Sequence, residues 1–306
     1  MKKNMIIGTR QSLLALWQSN YIADRLREKY PECTVTLKKI ITKGDRILDV
    51  PLAKIGDKGL FTKELETALL EGEIDLAVHS LKDMPTNLPT GLILTAITER
   101  AKAGDAFVSN KYTCFKDLPP GAVLGTSSLR RRAQILAARP DLEIVDLRGN
   151  VDTRLSKLDT GNMDAIILAA AGLERLGYKD RIREIIPSSC CLPAVGQGAL
   201  AIEVREHDTQ VRAALDFLNH KITQQATDSE RAFLSLLGGG CQVPIGVHAT
   251  VKNDNIEITA VIASLDGTTV LRDKIQGKAT EGIALGVVLG RRMLENGGQA
   301  VLAEIL

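Results

Sequence analysis

Arginine gathers where the chain turns. IIGTRQS carries Arg10 and Ser12, GTSSLRRR sets Thr126, Ser127 and Ser128 ahead of Arg130 and Arg131, and LRGNVDTR adds Arg148 and Arg154. Hydroxyls and backbone N–H groups at a helix start, joined by guanidinium forks, suit a carboxylate or a phosphate. Seven basic and four acidic residues lie between Ser127 and Lys157, a local net charge of +3 in a chain whose whole net charge is +2. A solvated helix face accounts for the same run equally well. Three successive arginines cannot all point one way, so Arg132 or a neighbour serves no ligand.

AVHSLKDMP places Lys82 and Asp83 between an apolar run and Pro85. A cation beside a carboxylate favours its ionised form, which suits proton handling; an aspartate opening a turn before proline is the competing reading. His79 reads as a strand-end histidine satisfied by a neighbour, not as a catalyst. In LLGGGCQVPIG, Cys241 sits in glycine-rich backbone with Pro244 stiffening the exit. Core cysteines sit among aliphatic residues instead. Taken alone, a filler in a turn is the better reading of Cys241.

Other chemistries are excluded or unsupported. The five cysteines form no CxxC pair, the four histidines have no ligand spacing, and no metal is expected. No P-loop and no GxGxxG follows a strand. Aromatics make up 3% of the chain, too few for stacking platforms, so no nucleic-acid partner is expected. The odd cysteine count fits a reducing cytoplasm. The apolar run in MKKNMIIGTR is too short for a secretory signal. The run Ala165 to Leu173 falls far short of the roughly 20 residues of a membrane helix. A soluble, cytoplasmic protein without a membrane partner is expected, a monomer by default.

The elements that must hold these residues repeat. MIIG, a helix ending before Pro31, TVTLKKI, the helical stretch GLFTKELETALLEG and IDLAVHS give strand, helix, strand, helix, strand. The order restarts near residue 120 with AVLG, SLRRRAQILAA, EIVDL, VDTRLSKLDTG and MDAIILA. Gly8-Thr9 matches Gly125-Thr126, Lys43-Gly44-Asp45 matches Arg148-Gly149-Asn150, and Gly72-x-x-Asp75 matches Gly161-x-x-Asp164. Two similar α/β lobes with mainly parallel sheets follow, and ligands of such sheets bind beyond the strand C-termini. We place the first lobe at 1–98 with 199–218 and the second at 105–192. Thr98–Asp105 and Leu192–Gly198 are the crossings. From 221 to 306, a helix, three strands and two closing helical segments predict an antiparallel α+β domain carrying Cys241.

GTRQSLLALWQ, GDKGLFTKELE, AVHSLKDMP, GTSSLRRR, LRGNVDTRL, DAIILAAAGLERLG, LPAVGQGAL and GGGCQVPIG together resemble, in order and spacing, the motifs of the porphobilinogen deaminase (hydroxymethylbilane synthase) family. The resemblance covers essentially the whole chain. It departs at AKAGDAF, where the family often has Pro-Arg before Asp-Ala-Phe, and at Asp57, where glycine is usual. It implies two lobes like the type II periplasmic binding proteins plus a small third domain. It also implies a transferase of haem and porphyrin biosynthesis. This enzyme joins four molecules of porphobilinogen head to tail, with loss of ammonia, into a linear tetrapyrrole. A dipyrromethane cofactor, one per chain, is implied as a thioether on Cys241. The family implies Asp83 as the catalytic group. The cofactor carboxylates would fall to Lys82, Thr126, Ser127, Ser128, Arg130 and Arg131, with Asp83, Gln197 and Gly198 also at the cofactor. Substrate would fall to Arg10, Ser12, Arg148, Arg154 and Arg175, with Lys54 and Lys58 as a cationic lid. The rival is a non-catalytic two-lobed binder of a polycarboxylate.

Overall fold

The computed structural model describes residues 2–46, 59–238 and 243–305, without the side chain of Arg46. The chain divides into two units. Among the described residues, one comprises 2–46, 59–100 and 199–224; the other comprises 101–198, 225–238 and 243–305.

In the first unit, β1 (Asn4–Thr9), β2 (Thr34–Lys39), β3 (Leu76–Ser80), β4 (Leu92–Ile97) and β10 (Leu200–Arg205) form one sheet in the order β2-β1-β3-β10-β4. β1 runs parallel to β2 and β3, whereas β10 is antiparallel to both its neighbours. Helix α1 (Leu13–Lys29) starts at Ser12, whose Oγ accepts the Ala15 N–H, and stops at Tyr30 ahead of Pro31. Its face of Ile22, Ala23 and Leu26 packs on Met5, Ile7, Leu76 and Ile202. A short helical turn, α2 (Lys43–Arg46), follows β2, and α3 (Lys63–Leu70) precedes β3. Helix α7 (Thr209–Leu215) covers the sheet with Val211 and Leu215.

The second unit repeats the plan. β5 (Asp105–Val108), β6 (Val123–Gly125), β7 (Glu143–Val145), β8 (Ala165–Ala169) and β9 (Glu184–Ile185) take the order β7-β6-β8-β5-β9. β6 is parallel to β7 and β8, and β5 antiparallel to β8 and β9. In each sheet four strands run one way and a fifth runs against them. The opposing strand is the one that follows a crossing, β10 in one sheet and β5 in the other. The sheets are thus mainly parallel in strand direction, though half the neighbour pairs are antiparallel. Neither β4 nor β5 is evident in the sequence, because short apolar runs beside a crossing carry no clear period. Helices α4 (Leu129–Ala138), α5 (Val151–Asp159) and α6 (Ala170–Arg175) complete this layer.

Helix α8 (Lys221–Leu236) begins earlier than its sequence period suggests. Strands β11 (Ile245–Lys252), β12 (Asn255–Ala263) and β13 (Val270–Lys278) form an antiparallel meander. Asn253 and Asp254 both have positive φ at the first hairpin, the backbone of the tight turn that matches strand twist. Phe233, Val247, Ile258, Ile262, α9 (Gly282–Met293) and α10 (Gln299–Ala303) enclose the core of this part. Two α/β sheets of like plan and a C-terminal antiparallel α+β element are therefore present, as expected.

Candidate functional site

In the first unit, β1 delivers Arg10 to a carboxylate. Arg10 Nε lies 3.2 Å from both oxygens of Asp45, and its Nη2 also donates to Oδ1. The guanidinium carbon stands 4.3 Å above the Phe61 ring. Thr42 donates its N–H and hydroxyl to Asp45 Oδ2, at 3.2 and 2.8 Å. Burial would raise the Asp45 carboxyl, but the hydrogen bonds and charge of Arg10 outweigh it and hold it below the usual range. Arg10, expected to face substrate, is thus braced by a residue that sequence reasoning did not assign to the site.

β3 ends in a single 3-10 turn, Leu81–Asp83, closed by the Met84 N–H on Leu81. Asp83 is exposed at its end and Lys82 half-buried. Gln18 of α1 donates to Ser80 Oγ at 2.8 Å, tying the helix to the strand end. His79 is buried with Nε2 3.0 Å from Glu203 Oε2, a structural partner as its sequence context suggests.

In the second unit, the β6–α4 turn is built by its own hydroxyls. Thr126 Oγ1 accepts from Ser128 N at 3.2 Å, Ser127 Oγ from Leu147 N at 2.9 Å, and Ser128 Oγ from Arg131 N at 3.4 Å. Each oxygen is an acceptor here, which leaves its O–H as a donor to an anion. Arg132 is exposed, whereas Arg130 and Arg131 are buried. These two converge on Asp105, the first residue of β5, which has no exposed surface. Arg130 Nη1 lies 2.7 Å from Oδ2, and Arg131 Nε and Nη2 lie 3.0 and 2.7 Å from Oδ1. Burial alone would raise the Asp105 carboxyl. The charges and hydrogen bonds of the two arginines overcome this and hold it far below the carboxylate range. Cys191 Sγ, 3.5 Å from Asp105 Oδ2, is a neutral thiol, pushed up to about 12 by burial and then by the Asp105 charge.

Gln197 joins this group, its Nε2 2.9 Å from Asp105 Oδ1 and 2.6 Å from the Ala103 carbonyl. Gly198 has φ +95°, and a Cβ there would lie 2.5 Å from the Ala101 carbonyl oxygen, so only glycine fits. Arg175 Nη2 donates to the Gly198 carbonyl at 2.7 Å. In the β7–α5 loop, Arg154 Nε donates to Gly149 O at 2.7 Å and Lys157 Nζ to Arg148 O at 3.1 Å. The loop is thereby braced around Arg148, whose Nη1 is buried and has no hydrogen-bond partner among the described residues.

The structure thus brings Thr126, Ser127, Ser128, Arg130, Arg131, Gln197 and Gly198 into one part of the second unit. Arg10, Ser12, Lys82 and Asp83 lie at strand ends of the first. Cys241, Lys54 and Lys58 lie outside the described residues. Asp105 and Asp45 were missed. The available signal for Asp105 was a carboxylate opening the apolar run DAFV, which demands a partner once buried. Among the described residues no group of histidine, cysteine and carboxylate side chains is arranged to hold a metal ion, and no helix is long and apolar enough to cross a membrane.

Family models match over two stretches. The porphobilinogen deaminase dipyromethane cofactor binding domain matches residues 5–213, and the porphobilinogen deaminase C-terminal domain matches 225–295. A porphobilinogen deaminase of Geobacter sulfurreducens is 53% identical over 98% of this chain and 94% of its own. One of Desulforamulus reducens is 50% identical over 100% of this chain and 99% of its own. One of Carboxydothermus hydrogenoformans is 51% identical over 100% and 98%. Among solved structures, the methionine-binding protein MetQ is 13% identical with a TM-score of 0.47, over 73% of this chain and 91% of that one.

Proposed function

The chain belongs to the porphobilinogen deaminase family, and on that premise we propose how its residues divide the work. The enzyme is a hydroxymethylbilane synthase: it joins four porphobilinogen molecules, releases ammonia, and uses a dipyrromethane cofactor. In class it is a transferase. Each pyrrole carries an acetate and a propionate, so substrate and cofactor are both polyanions that need cationic partners on leaving water.

One observation carries the reading: the buried Nη1 of Arg148 lacks an acceptor among the described residues. An orphaned guanidinium donor is costly, and a ligand carboxylate is the group that would satisfy it. The residues therefore fit an acidic pyrrole. Arg148, with Arg154, Arg175, Arg10 and Ser12, takes the carboxylates of the incoming substrate; Lys54 and Lys58 add cations from outside the described residues. Arg130, Arg131, Lys82 and the hydroxyls of Thr126, Ser127 and Ser128 take those of the cofactor, and Gln197 and Gly198 flank them. Cys241 holds the cofactor covalently. Bound, the dipyrromethane supplies a primer that keeps each new pyrrole attached to the protein.

Asp83 handles protons and developing charge. As ammonia leaves, positive charge spreads towards the pyrrole nitrogen, and a carboxylate accepting that N–H gains most at the transition state. In its protonated form the Asp83 carboxyl gives its proton to the departing amine, which generates that carboxylate, and the carboxylate regains a proton from the ring after attack. Its exposed position at the end of a short turn allows it to meet substrate. The test is to incubate purified protein with porphobilinogen and to assay ammonia and a linear tetrapyrrole. Binding without release of either would leave the polycarboxylate binder as the better account.

A further inference from the structure

Asp105 receives more donors than any exposed carboxylate could keep. Two come from Arg131, one from Arg130, one from Gln197 and one from the Cys191 thiol. Arg130 Nη1 also donates to Leu192 O at 2.6 Å, and Arg131 Nη1 to Ile167 O at 2.9 Å. Among the described residues these bonds use one nitrogen of Arg130 and leave its Nε and Nη2 as donors. They fix both guanidinium planes; every nitrogen of Arg131 already donates, leaving it one further N–H on each of Nη1 and Nη2.

The charge arithmetic is equally specific. Two buried guanidinium ions and one buried carboxylate sum to one surplus positive charge. Two uncompensated cations would be prohibitive at such burial, and full neutralisation would leave nothing to attract an anion. We propose that Asp105 is a positioning residue for cofactor acquisition: it aims Arg130 and Arg131 and trims their combined charge to +1, the charge matched by a single pyrrole carboxylate. This rests on the reading that Arg130 and Arg131 hold the cofactor. Cys191 and Gln197 then act as neutral donors that keep Asp105 ionised and in place, which gives Cys191 a role although it is no nucleophile. An asparagine at 105 would turn an NH₂ towards the arginines and raise the surplus to +2.

The experiment uses full-length chains produced without porphobilinogen, then incubated with it, with intact mass as the measure of cofactor loading and circular dichroism as the measure of folding. Folded Asp105→Ala is expected to load at least tenfold less than the parent. Formate, a carboxylate small enough for the vacated space, should restore loading, while chloride at equal ionic strength should not. Parent-level loading of Asp105→Ala without formate overturns the proposal. So does a loss that formate leaves untouched, which would make Asp105 a packing residue. Should Asp105→Ala fail to fold, the isosteric Asp105→Asn carries the test: lost loading in a folded chain supports the proposal, and normal loading overturns it. Arg131→Leu separates the two levels of the argument. Its normal loading would remove the parent reading together with this inference; loss in Arg131→Leu beside normal loading in Asp105→Ala removes the inference alone.

Discussion

A Cβ on Gly267 would lie 2.4 Å from the backbone nitrogen of Ala137. The β12–β13 hairpin thus seats its turn directly on helix α4, the element that carries Arg130 and Arg131. Ala133 of α4 meets Leu192, Val261 and Ala263 in a small shared core on the same side. Gly267 also has φ +76°, so any side chain there is doubly disfavoured. Gly267→Ala is expected to destabilise the protein by about 1–3 kcal/mol through overpacking, read as a lower urea midpoint with unchanged slope. An unchanged midpoint would show that the hairpin moves off α4 without cost.

The neighbouring Asp266 gives this contact a pH dependence. Its Oδ1 accepts from Ser264 Oγ, Thr268 N and Thr268 Oγ1, and these bonds lower its carboxyl to about 2 from 3.8. A depressed carboxyl contributes stability that is full above its unfolded value and lost as pH falls through its folded value. The stability difference between parent and Asp266→Asn should therefore be constant above about pH 4 and shrink towards pH 2. Melting both proteins across that window checks it; a difference that persists at the acid end would exclude the charge as its origin.

Asp83→Asn keeps shape and hydrogen-bonding capacity but removes the negative charge and the proton-accepting oxygen. The variant should fold and carry its cofactor by intact mass, while turnover falls roughly 10²–10⁴-fold, the usual contribution of a positioned acid-base group. Turnover close to that of the parent would take Asp83 out of the mechanism.

The thiols should sort by environment. Cys191, at about 12, stays protonated and buried at neutral pH, and a protonated thiol is a poor nucleophile. Peptide mapping should place the mass of two linked pyrroles on Cys241 and none on Cys191. Cys241→Ser should lose that mass without transferring it. Modification appearing at Cys190 or Cys191 in the variant would refute the selection.

How much of this was legible beforehand follows from the physics of each feature. The lobes announce themselves through amphipathic period and turn glycines, which are local properties. The strand order, with β10 and β5 inserted against their sheets, is not local and was seen only in part: the return of ALAIEVRE to the first lobe was expected, the strand DAFV was not. Arginine clusters are visible in the composition, but composition alone does not separate an anion site from a solvated helix face. The partner of Arg130 and Arg131 lies 25 or 26 positions upstream, and no short-range pattern links Asp105 to them. Arg10 was assigned to substrate from its place at a strand end; its partner Asp45 sits 35 residues away, and only the folded chain brings the two together.

That distinction between braced and unbraced arginines yields the final prediction. Arg10 is matched by Asp45, and Arg130 and Arg131 share Asp105, whereas Arg148 keeps a buried Nη1 without an acceptor among the described residues. Arg154 and Lys157 spend donors on the carbonyls of Gly149 and Arg148, so they hold the loop that presents it. Removing Arg148 therefore removes the donor proposed to meet ligand while leaving these backbone contacts available. Arg148→His should retain cofactor loading and melt close to the parent, yet stall elongation, since the shorter imidazole cannot fork to a carboxylate. Intact-mass spectra taken during turnover should show accumulation of chains carrying few added pyrroles. A distribution of bound intermediates identical to that of the parent would mean that Arg148 does not contact the growing chain, and that its unmet donor is satisfied by water instead.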